Sequence, residues 1–151
     1  PELAQYMPNV KSIDVTLREE LDGGLVHLVN RWNAAATEIP AVARPFVDPA
    51  SVYWIDHAKW NADDLACSWR LEMGFMADRI SCTGVTSYHT IDTERTEMRI
   101  NGELELDLKG LVPRLLLGKA TTGIEKFVSK LVAPNFEKTS KALTAYLEAN
   151  A

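Results

Sequence analysis

Two hydrophobic periods divide the chain. Over residues 12–109, apolar and polar positions alternate in short runs, the period of half-buried strands; over 113–149 the period lengthens to that of an amphipathic helix. The first run, 12–20, sets Ile13, Val15 and Leu17 on one face against Asp14, Thr16 and Arg18. Asp22, Gly23 and Gly24 supply the positive-φ residues of a tight hairpin. The chain returns over 25–33 with Val26, Leu28, Asn30 and Trp32 on the face assigned inward. A third strand, 51–60, aligns Val52, Trp54, Asp56, Ala58 and Trp60. After turn residues at 61–64, the run 65–73 aligns Leu65, Cys67, Trp69, Leu71 and Met73. Residues 80–91 form a fifth strand, rich in Thr, Ser and Tyr. The cleanest alternation is 95–109, where Met98, Ile100, Leu104, Leu106 and Leu108 face inward. Gly102 takes the remaining inward position and predicts a bulge or bend.

Two segments break the alternation. Residues 34–50 hold Pro40, Pro45 and Pro49 without a clean period, which excludes a central strand or long helix and leaves room for a helical turn over 39–44. Connections this long often serve as lids or entrances. In the last third, Ile124, Phe127, Val128, Leu131 and Asn135 fall on one helical stripe, continued by Thr139, Ala142, Leu143 and Tyr146. A helix over all of 113–149 would be about 55 Å long. Gly118, Gly123 and Pro134 are therefore the expected break points.

Composition narrows the function classes. The 151 residues suit one domain with its own core, and 46% hydrophobic with 25% charged residues is a folding composition rather than a disordered one. A net charge of −5 argues against nucleic acid, which requires a basic face. No apolar run is long enough for an integral membrane segment, and 111–117 is broken by Pro113 and Arg114. Cys67 and Cys82 make no disulfide framework, so a cytoplasmic location is expected. His27, His57 and His89 stand at no metal-binding spacing, and there is no phosphate loop and no serine in a nucleophile elbow. No metal, cofactor or catalytic residue is assigned.

Polar residues on inward positions are what remains: Asn30, Asp56, Thr86 and Tyr88, with Arg44 and Arg70 as nearby candidates. Each such group costs about 1–3 kcal/mol when buried without a partner. Either they satisfy one another, or they line a partly polar cavity between sheet and helix that holds an amphipathic ligand. In the second case Trp32, Trp54, Trp69, Met98 and Phe127 are apolar walls, Asp56 and Tyr88 orient a polar head, and Leu131 and Asn135 of the helix contribute the floor.

The whole pattern resembles the helix-grip superfamily of START-like and polyketide-cyclase-like proteins. The resemblance rests on the first hairpin from Ile13 to Trp32, on the tryptophan-bearing runs 52–60 and 65–73, on Arg95-Thr96-Glu97-Met98-Arg99-Ile100-Asn101-Gly102, and on the long helix with Pro134-Asn135 inside it. It implies an α+β fold, a highly curved seven-stranded antiparallel sheet gripping a C-terminal helix. Six strands are counted, in one domain that begins where the family's second short helix ends. The natural protein is accordingly expected either to carry about 20–25 further N-terminal residues, forming one strand and a helical connection, or to fill that edge with a different element. Members bind lipids, sterols and polyketides, and some are cyclases or hydratases. The resemblance implies a hydrophobic small-molecule ligand held by a carrier or sensor; an aromatase/cyclase- or dehydratase-like enzyme and a protein-interaction module are the alternatives.

Overall fold

Each alternating run forms a strand, and each strand pairs antiparallel with its neighbour in the chain. The order is β1 (Val10–Leu21), β2 (Leu25–Ala34), β3 (Tyr53–Asn61), β4 (Ala66–Met73), β5 (Ile80–Thr90) and β6 (Thr96–Leu106), followed by the helix α1 (Leu117–Ala149). The computed structural model describes residues 1–35, 39, 41 and 43–150, and 131–137 by their backbone alone. The fold is α+β. A short 3-10 turn, Glu2–Tyr6, precedes β1, and another at Asp22–Gly24 closes the first hairpin, with Gly23 and Gly24 at φ of +75° and +72°. The helical turn expected over 39–44 falls partly outside the described residues; downstream of it a 3-10 turn forms at Pro49–Ser51, capped by the Asp48 carboxylate.

The inner face of the sheet is the one that meets α1. Ile124 and Val128 of the helix are almost completely buried, in one core with Met73, Phe75, Ile80 and Leu108. Further along, Ala142 joins the core that holds Met7, Val10 and Ile13, and Lys138 Nζ donates to Asn9 Oδ1 at 3.1 Å. The helix packs chiefly against β6 and the Glu2–Tyr6 turn, which itself abuts β1. It therefore spans the sheet from last strand to first.

Four sequence expectations are corrected. Leu17 does not share a face with Ile13 and Val15. The register of β1 against β2 shifts between Val15 and Leu17, so Ile13 pairs with Trp32 and Val15 with Asn30, but Leu17 pairs with Val29 on the outer face. Thr16 is the extra residue, and its hydroxyl donates to Val29 O at 2.9 Å. Leu65 is not inward: it takes φ of +48° in the turn before β4 and is half exposed. Gly102 makes no bulge, because β5 and β6 pair without a register shift and Gly102 stands directly opposite Gly84. Finally, α1 starts at Leu117, after turns over 109–116, and runs for 33 residues through Gly118, Gly123 and Pro134 without a break, about 50 Å. Tertiary burial of one stripe outweighs the weak helix preference of glycine.

Candidate ligand-binding site

Cross-strand register assembles the inner face in rows. Asn30, Asp56, Leu71, Cys82 and Leu104 form one; Trp32, Trp54 and Met73 lie beside it toward the helix-covered core. On the other side come Leu28, Ala58, Trp69, Gly84 and Gly102, and then Val26, Trp60, Cys67, Thr86 and Ile100. All four tryptophans of the chain thus lie on the face that carries Asp56. Trp32 and Trp54 stack at 5.7 Å between centroids, and Trp60 stacks on Tyr88 at 6.1 Å.

Trp69 explains the facing glycines. A Cβ at Gly102 would stand 2.6 Å from Cη2 of the indole, and one at Gly84 would overlap the same ring. The two bare positions form a trough in which the indole lies. Its Nε1 donates to Thr86 Oγ1 at 3.1 Å, so these two predicted site residues are partners of one another. Phe127 is likewise core, tilted against Phe75 at 5.7 Å.

Asp56 differs. Burial pushes its carboxyl up from 3.8 to about 6, a rise moderated by the polar hydrogens of Asn30 and Trp32 beside it. Those neighbours do not complete its hydrogen bonding: Oδ1 of Asp56 and Nε1 of Trp32 are both buried, and neither has a partner in hydrogen-bond geometry among the described residues. The Cys67 thiol is pushed up to about 12, first by burial and then by the charge on Asp56, which keeps it protonated at neutral pH. Burial also raises the Tyr88 hydroxyl, with Cys67 as a lesser cause. The arrangement offers one buried acid, one indole donor and a phenol on an aromatic face.

Other candidates lie elsewhere. Arg44 is exposed and donates to Ile39 O; Arg70 points outward and pairs with Glu72 at 3.4 Å. His57 is also on the outer face, with Nε2 at 3.5 Å from Glu72, and its ring stacks with His27 at 6.5 Å. Met98 is partly buried opposite Tyr88. The side chains of Leu131 and Asn135 fall outside the described residues. Two members of the site were not among the predicted residues: Trp60, which stacks on Tyr88, and Cys67, which feels the charge of Asp56. Both share the inward parity of Asp56 and Trp69 on their own strands, the signal by which they are found. Among the described residues no three His, Cys, Asp or Glu side chains converge to hold a metal ion, and no helix is long and apolar enough to cross a membrane. Comparison of the chain with models of known protein families and with curated proteins gives no match.

Proposed function

We propose that this chain is a helix-grip domain of the START-like kind, and that it binds a hydrophobic or amphipathic small molecule on the inner face of its sheet, as a carrier or sensor. The observation that carries this reading is two buried polar atoms, Trp32 Nε1 and Asp56 Oδ1, that lack a partner in hydrogen-bond geometry among the described residues and are set among stacked aromatic rings. A folded chain loses about 1–3 kcal/mol for each such group. A ligand with a polar end and an apolar body recovers that loss and covers the tryptophans at once. Native mass spectrometry of freshly purified protein tests it: the expected result is a retained small hydrophobic compound. An empty protein that takes up none of a panel of long-chain amines, sterols and aromatic polyketides would count against it.

A second reading has its own support. An acid that titrates at about 6 is placed for proton transfer near neutral pH, as a cyclase or dehydratase requires. Under that reading Asp56→Asn retains the compound found by mass spectrometry but no longer converts it. Equal conversion by both proteins would remove Asp56 from the chemistry.

A further inference from the structure

Asp56 is a half-buried carboxylate whose Oδ1 atom is fully buried, with no cation beside it among the described residues. Its neighbours across the strands are Asn30 and Leu71, with Trp32 and Trp69 on the adjoining rows and Cys67 one row further, and none of them carries positive charge. The basic side chains of the same strands have the opposite parity. Arg31 lies over the Tyr53 ring at 3.6 Å, Lys59 is exposed, Arg70 pairs with Glu72, and His57 faces Glu72. On β1, Arg18 stands opposite Leu28 on the inner face beyond the bulge, but it is exposed and bound to Glu20; on β6, Arg99 is exposed and pairs with Glu97. From the helix, Lys126 and Lys130 are exposed and Lys138 is engaged with Asn9. The described part of the fold brings no counter-ion to this acid.

What it does bring is aromatic. The stacked rings of Trp32 and Trp54 occupy the row next to Asp56, and an aromatic face attracts a cation through its quadrupole. Accepting the inner face as a ligand site, we propose that its ligand is an organic amine: a protonated nitrogen held between the Asp56 carboxylate and the Trp32–Trp54 pair, with an apolar body along the inner face. Three features converge on this class. A carboxylate among buried side chains gains more from an ammonium than a surface one does, because water screens it less. A neutral ligand leaves the desolvated charge unrelieved, and an acidic one is repelled by it. The raised titration of Asp56 is what burial without a cation produces, and a bound ammonium acts in the opposite direction.

A matched set of octylamine, octanol and octanoate tests the proposal, with binding read by intrinsic tryptophan fluorescence and by titration calorimetry. The full chain and Asp56→Asn are compared at about pH 7.5 and about pH 5, on either side of the Asp56 titration. Octylamine is expected to bind the parent chain about tenfold or more tighter than octanol at the higher pH. That preference should shrink at the lower pH, where Asp56 is protonated, and vanish in Asp56→Asn. Octanol or octanoate binding as tightly as octylamine overturns the amine assignment and leaves a hydrophobic site standing. An octylamine preference that persists in Asp56→Asn overturns the role of Asp56. Absence of saturable binding by all three overturns both the amine and the underlying ligand site. The pH dependence of the parent chain stands as a test independent of how the variant folds.

Discussion

Asparagine at position 56 keeps the shape of the side chain and removes its charge, so the variant Asp56→Asn isolates the cost of burying that charge. The carboxyl titrates at 3.8 when free and at about 6 in the fold. With about 1.4 kcal/mol for each pKa unit, ionised Asp56 costs the folded state about 3 kcal/mol at neutral pH. The sign follows from which state holds the proton more tightly. Here it is the folded one, so the stabilising contribution of the protonated acid is full below 3.8 and is lost as pH rises through about 6. Asparagine does not titrate. The stability difference between variant and parent should therefore be flat below about pH 4, grow in favour of the variant between about pH 4 and 6, and level off above about pH 7. At a urea m-value of about 1.5–2 kcal/mol/M, the plateau is a midpoint rise of about 1.5–2 M. Urea denaturation followed by tryptophan fluorescence across this range measures it. A difference that stays constant with pH, or a variant that loses ground as pH rises, would refute the assignment of Asp56 as a buried acid without a counter-ion.

Four further outcomes are expected. Gly102→Ala places a methyl group 2.6 Å from the Trp69 ring and should cost about 1–3 kcal/mol in urea denaturation. Thr86→Val keeps the volume but removes the acceptor of the Trp69 indole, and should cost about 1–3 kcal/mol by the same assay, with little effect on amine binding. Ile124→Ala empties a fully buried position between helix and sheet and should cost about 2–5 kcal/mol. Cys67, buried and with its thiol held protonated, should resist iodoacetamide at neutral pH in the folded chain and react once urea unfolds it, as intact mass would show.

The sheet was legible because alternation survives wherever one face is buried; five of the six strands follow the plain period of two, and β6 does so nearly residue by residue. The bulge in β1 was not. Val15, Thr16 and Leu17 alternate as an ordinary strand does, and only pairing with Val29 decides that Thr16 is the extra residue. Gly102 misled for a related reason. A glycine in a strand signals either a bend or a close approach, and the approaching ring belongs to Trp69, two strands away. Gly118 and Gly123 read as breaks because local preference is visible in a sequence, whereas the sheet that pins their helix is not. At the site, strand parity put Asn30, Trp32, Trp54 and Asp56 on one face correctly. That Trp69 and Thr86 bond each other while Trp32 Nε1 and Asp56 Oδ1 lack a partner in hydrogen-bond geometry among the described residues depends on side-chain geometry, which no spacing encodes.

The indole trough has an evolutionary consequence. Trp69, Gly84 and Gly102 sit on three consecutive strands, yet a change at any one alone leaves either a clash or an empty slot. Selection should treat them as a single inherited character. Relatives of this chain are expected to keep all three residues, or to replace the tryptophan with a small side chain and release both glycines together. Lineages that have lost only one of them should be rare, and each should show a compensating change at Thr86, the residue that holds the indole nitrogen.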